Sequence, residues 1–156
     1  VPNSPLGSPA SRYPNRQDAN RFVGAQYRLD TREGHRRMIE QTAFINRLYS
    51  LFNARDIDGV FDLLEPDVAW ANGMDGGHVH GPDEIRAYWT RQWSMIDPRV
   101  DPVDVAVLPS GIIVVHARQV VRDKAGKTLS DEIVEHRFTL RAGKVARFDI
   151  GERKDA

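Results

Sequence analysis

At 156 residues the chain has room for one domain with its own core, and 40% of its residues are apolar. Its 22 Lys and Arg balance 22 Asp and Glu, which excludes the strongly basic surface that nucleic-acid phosphates require. No apolar run approaches the roughly 18 residues of a membrane helix, and the lack of cysteine excludes disulfides, thiol nucleophiles and thiolate-held metals.

Residues 1–29 read as a flexible tail. Pro2, Pro5, Pro9 and Pro14 stand among Ser, Gly and Asn, a composition that cannot offset the entropy of ordering. Val1 to Arg21 also lacks the apolar run of a secretion signal. With no cysteine and no such signal, a cytoplasmic location is expected. Residues 30–156 then form the folded domain.

A first helix is predicted from Asp30, where Asp30 and Glu33 have the spacing of a capping pair. Thr42, Ile45, Leu48, Tyr49 and Phe52 recur at helical spacing and mark its buried face. Asp56 caps a short second helix with Ile57, Val60, Phe61 and Leu64 inward, and Pro66 ends it. Asp67 to Asn72 reads as a strand, followed by a glycine-rich loop and a brief His78-Val79-His80 segment. Gly81-Pro82-Asp83-Glu84 opens a third helix, since proline in the first turn and early acids both suit a helix N-terminus. Ile85, Tyr88, Trp89, Trp93 and Ile96 form its aromatic face, and Asp97-Pro98 stops it.

The period then changes to two. Val103, Val105 and Val107 alternate, Ile112 to Arg122 and Thr128 to Leu140 form long strands, and Lys144 to Gly151 forms the last. Short turns link them into an antiparallel meander. The reading is α+β: three N-terminal helices wrapped by a cone-shaped, curved antiparallel sheet.

Phe52-Asn53-Ala54-Arg55-Asp56-Ile57-Asp58-Gly59, Pro66-Asp67-Val68, Val79-His80-Gly81-Pro82-Asp83-Glu84-Ile85 and Gly143-Lys144-Val145 together resemble the nuclear transport factor 2-like superfamily. Within it the likeness is to the SnoaL-like and ketosteroid-isomerase-like branch, over about Met38 to Glu152. The resemblance implies a cystatin-like cone roll with a small-molecule pocket, no cofactor, and a homodimer formed through the outer sheet face. It does not imply one reaction, because this fold hosts isomerases, cyclases, hydrolases, dehydratases and non-catalytic binders.

Two branches of the superfamily supply comparisons. Aligned with its steroid isomerases, the general base falls at Asn72, the tyrosine at Leu48 and the protonated aspartate at His136, so steroid isomerisation of that kind is not expected. Aligned with its limonene epoxide hydrolases, Trp70-Ala71-Asn72 matches an aromatic-x-Asn element, the central Arg-x-Asp falls near His116-Ala117-Arg118, and the last aspartate falls near Ile150, beside Asp149.

Strand phase selects candidates for the pocket. Val134, His136, Phe138 and Leu140 form the more apolar face of their strand and are expected inward. On the preceding strand His116 and Arg118 are placed inward, which leaves Ile113, Val115 and Val121 as an outer apolar patch for the dimer. The expected catalytic set is His136, Asn72, His116 and Asp149, with His136 as general base or acid and Asp149 or Glu132 orienting it. Phe52, Trp70, Trp89, Trp93, Arg118 and Phe138 are expected to bind substrate. Asp75, His78 and His80 combine carboxylate with imidazole, but no third ligand stands at fixed spacing, so no metal is assigned. The function expected is cofactor-free, His-centred isomerase, lyase or hydrolase chemistry on an apolar or cyclic metabolite. The alternative is a non-catalytic binder or dimeric scaffold of the same fold.

Overall fold

The computed structural model describes residues 31–151. The tail expected over residues 1–29 and the cap expected at Asp30 lie outside them. Helices α1 (Thr31–Asn53), α2 (Ile57–Phe61) and α3 (Gly81–Met95) accompany strands β1 (Leu64–Ala71), β2 (His78–His80), β3 (Ile96–Val107), β4 (Ile113–Asp123), β5 (Thr128–Arg141) and β6 (Lys144–Ile150). The six strands form one sheet in the order β2-β1-β6-β5-β4-β3. The helices fill its concave side, as the sequence predicts.

Local chemistry explains the helix ends. Helix α1 stops where Arg55 takes a left-handed conformation with φ 63°. The Asp56 amide then donates to Leu51 O and the Arg55 amide to Phe52 O, a Schellman closure without its usual glycine. The Arg55 guanidinium lies 4.8 Å over the Trp93 ring and donates to Pro98 O at 2.9 Å, which holds that backbone in place. At the start of α3, Gly81 has φ +75°, and a Cβ there would meet Pro66 O at 3.3 Å. Only glycine meets both conditions without strain.

The sheet departs from the expected all-antiparallel pattern at one place. Strand β1 pairs with β6 in parallel, whereas the other four pairs are antiparallel. Turn length governs only consecutive strands, and these two are joined by most of the domain. Strand β1 also begins earlier than expected, at Leu64. Pro66 is accommodated because the β1–β6 register is irregular between Leu64 and Ala69. Strand β3 begins at Ile96, taking in Pro98 and Pro102. Both prolines are tolerated because β3 is a sheet edge, where missing amide donors leave no neighbour unpaired.

The core is contiguous and aromatic. Ile45, Leu48 and Tyr49 of α1 and Ile85, Tyr88 and Trp89 of α3 pack on Trp70, Phe138 and Phe148 of the sheet. Register decides which way β4 faces. Val115 stands opposite His136 and Ile113 opposite Phe138, so those four share the concave side. His116 and Arg118, expected inward, therefore point to the outer face beside Glu135 and Ile133. The apolar patch expected there from Ile113, Val115 and Val121 is absent, because these residues face in. Arg118 instead makes a bidentate pair with Asp131, at 2.9 and 2.6 Å.

Candidate functional site

A cavity of about 420 Å³ lies between the helices and the concave sheet. Its walls come from Leu48, Tyr49 and Phe52 on α1, Tyr88, Trp89 and Gln92 on α3, and inward residues of all the strands except β2. Gly73 and Met74 of the β1–β2 loop reach it too. The volume is within the range of small-molecule sites, roughly 300–1,000 Å³.

The aromatic wall follows from helical and strand periodicity meeting. Trp70 stacks on Phe148 with centroids 4.1 Å apart, and Trp89 meets Trp70 edge-on at 5.4 Å. Of the residues expected to bind substrate, Phe52, Trp70, Trp89 and Phe138 line the cavity. Trp93 does not. It stacks behind Trp89 at 5.7 Å and beneath Arg55, supporting the wall without forming its surface. Arg118 does not either, since it is on the outer face.

The polar centre is a pair. Tyr49 Oη lies 2.7 Å from His136 Nδ1, and both residues are buried. His136 comes from β5, where the strand phase turns it inward, and Phe148 packs edge-on against its ring at 4.9 Å. Burial lowers the His136 pKa to about 3 and raises that of Tyr49 well above its ordinary value. Both groups are therefore neutral at pH 7. Two proton arrangements satisfy their hydrogen bond. Either Tyr49 donates to Nδ1 and the ring carries its proton on Nε2, or Nδ1 donates and the Tyr49 hydroxyl proton is free. In each case the pair retains one donor for a third group.

The other expected catalytic residues are placed elsewhere. Asn72 Oδ1 accepts from the amides of Met74 and Asp75, both at 2.9 Å, so it shapes the β1–β2 loop as an Asx turn. Asp149 is on the outer side of β6, bonded to His78 Nε2 at 2.8 Å and to Arg147 Nε at 2.9 Å. Burial favours its protonated form, but the hydrogen bonds from Arg147 and His78 outweigh this and hold its pKa below the ordinary value. His116 stands with its Nε2 3.6 Å from Glu135 Oε1, and Glu135 in turn accepts from Arg137 at 2.6 Å. His136 is thus brought together with neither Asp149, His116 nor Asn72. Glu132, the other group expected to orient it, is exposed, and Tyr49 takes that place.

His78 is engaged by Asp149, and Asp75 by Arg91 at 2.7 Å. Among the described residues no three His, Cys, Asp or Glu side chains cluster as a metal site.

Sequence reasoning missed Tyr49, Tyr88, Gln92 and Gln119 as cavity residues. The two tyrosines read as core because their helical spacing is that of core. The steroid-isomerase alignment fell on Leu48, one position short of the hydroxyl that reaches His136.

With the geometry in place, comparison with known proteins decides the family. The SnoaL-like domain matches residues 45–148, more than half of the chain. The chain belongs to this family. Among solved structures it is similar to TerC co-crystallised with polyporic acid, at 25% identity and a TM-score of 0.64, over 73% of this chain and 92% of TerC. An NTF2-like protein of unknown function from Burkholderia pseudomallei K96243 shares 26% identity with a TM-score of 0.63, over 70% of this chain and 88% of its own. A Mycobacterium tuberculosis protein in complex with estradiol-17beta-hemisuccinate has a TM-score of 0.62 at 15% identity, over 73% and 94% of the two chains, which shows a shared fold alone. No curated protein matches the chain by sequence. Among the described residues no helix is long and apolar enough to cross a membrane.

Proposed function

We propose that this SnoaL-like protein binds a flat, cyclic small molecule between its aromatic walls and polarises one oxygen of it with the His136–Tyr49 pair. The observation that carries the reading is the 2.7 Å contact between these two neutral groups inside the aromatic cavity. A ligand-bound neighbour at 25% identity, TerC with polyporic acid, supports small-molecule binding.

The chemistry differs from the base expected at His136. A ring with a pKa of about 3 is a poor proton acceptor at pH 7, because an efficient base titrates near the working pH. A neutral imidazole held by a tyrosine suits another role, that of a hydrogen-bond donor to a carbonyl oxygen. As a proton leaves the neighbouring carbon, charge gathers on that oxygen and the fixed donor stabilises it without reorganising. This fits enolisation, as in isomerase or lyase reactions, with the departing proton taken by a basic group of the substrate or by water.

The test is turnover of cyclic ketones found by screening. His136→Ala is expected to lower kcat by about a hundred-fold, the scale of losing one oxyanion donor, and Tyr49→Phe by less. Unchanged kcat in His136→Ala rejects the catalytic role.

One observation favours a binding-only reading. Apart from His136, the only titratable side chains on the cavity wall among the described residues are Tyr49 and Tyr88, and burial raises the pKa of both. Neither is a base at pH 7. This reading predicts thermal stabilisation by such ketones with no product, and detecting product refutes it.

A further inference from the structure

Among the described residues the cavity wall contains no Asp, Glu, Lys or Arg side chain, in a chain where such residues number 44 (22 + 22). Of the described residues near the site, Glu132 shares the concave face as the register partner of Gln119 but is exposed and off the wall, and the other charged groups turn away or are bound elsewhere. Arg118 pairs with Asp131, Arg137 with Glu135 and Arg147 with Asp149 on the outer face. Arg55 lies on Trp93 and donates to Pro98 O, and Arg91 ties Asp75 at the surface. Burial keeps His136 uncharged as well. An anionic ligand would lose its water and meet no counter-charge on that wall, which is strongly unfavourable even after local relaxation.

Three polar wall residues have no part in the His136–Tyr49 pair, and two of them, Gln92 and Tyr88, are bonded to each other at 3.3 Å. Gln119 on β4 lines the cavity, is half-buried, and its amide makes no hydrogen bond among the described residues. It stands four residues along β4 from Val115, the register partner of His136. At roughly 3.3 Å per residue that separation is about 13 Å along the strand. Ala117 and Val134, paired between them, present no polar side chain. An amide carries both donor and acceptor, so it can meet a hydroxyl or a carbonyl equally well.

Resting on the pocket reading above, we infer that the ligand carries no negative charge within the cavity and is elongated, hydrogen-bonded at one end by the His136–Tyr49 pair and at the other by Gln119. Its chemical class is a neutral skeleton of two or three joined rings with an oxygen function at each end. Gln119 is then a specificity-determining residue, and carboxylated relatives of the same skeleton are rejected.

Three anthraquinones test this by calorimetry and thermal shift on the full chain: the unsubstituted compound, and its hydroxymethyl and carboxylate derivatives with the same substitution position. At pH 7 the hydroxymethyl compound is expected to bind at least ten-fold more tightly than the carboxylate. Gln119→Leu should weaken the hydroxymethyl compound several-fold and leave the unsubstituted one unchanged. The double variant Gln119→Lys, Glu132→Gln, which places a cation on the wall and removes the carboxylate opposite it, should reverse the order so that the carboxylate binds better. Equal or tighter binding of the carboxylate by the unaltered protein overturns the inference while leaving the pocket reading standing. Equal loss of both neutral compounds in Gln119→Leu overturns the role of Gln119. Binding of none of the three overturns the inference together with the reading beneath it.

Discussion

The two faces of the sheet offer different chemistry within the same strands. Inward, β5 carries Val134, His136 and Phe138, and its one buried polar group is satisfied by a tyrosine. Outward, the alternate positions Asp131, Glu135 and Arg137 form ion pairs with one another or with β4. His116 and His136 make the contrast sharpest. Both are buried and they sit on adjacent strands, yet one stands beside a carboxylate and the other beside a phenol. Residue type alone therefore does not identify the functional histidine. The face it points to does.

The comparison can be tested by paired substitutions, and the largest effect is expected in the core. Phe138→Ala should cost about 3–5 kcal/mol, the range for removing a buried aromatic side chain. Its exposed neighbour Thr139→Ala should stay within about 0.5 kcal/mol. Denaturant unfolding of both variants measures the asymmetry, and similar losses would show that the faces do not differ as described.

The next effect is a pH dependence. His136 has a folded pKa of about 3 against an ordinary 6.5. Above pH 6.5 both folded and unfolded chains keep it neutral, so its contribution is complete. Below that, the unfolded chain binds a proton that the folded one excludes, and stability falls by up to about 1.4 kcal/mol per pH unit towards pH 3. Between pH 7 and 5 the unaltered protein should lose up to about 2 kcal/mol more than His136→Phe. Equal losses would show that the ring is not shielded.

A smaller effect separates loop shaping from catalysis at Asn72. Asn72→Ala leaves the Met74 and Asp75 amides without their acceptor and should cost about 1–2 kcal/mol. Asn72→Asp keeps an acceptor and should keep most of the stability. If both variants unfold alike, the turn does not depend on that side chain. The smallest effect is expected from Arg118→Ala, which alters an exposed pair. It should leave ligand affinity unchanged, and a loss of affinity would bring that residue back to the site.

These pairs also show what the sequence could reveal. On β5 the phase was legible because one face alternates charge, as in Glu135, Arg137 and Arg141, while the other holds Val134 and Phe138. On β4 it was not, because Val114 and Val120 are as apolar as Val115 and Val121. Only pairing with β5 settles that strand, and pairing is a long-range property. The helices and the aromatic wall followed from spacing. The Tyr49–His136 contact did not, since it joins residues 87 positions apart. The parallel β1–β6 pair was hidden for the same reason.

That parallel pair has a consequence for how the chain acquires its structure. Of the six described strands β6 is made last, yet it stands between β1 and β5 in the middle of the sheet. Until Lys144–Ile150 arrives, the early β1–β2 ribbon and the later three-stranded ribbon have no edge in common. Closure therefore awaits the emergence of β6, and with so many distant pairings it should be slow and cooperative.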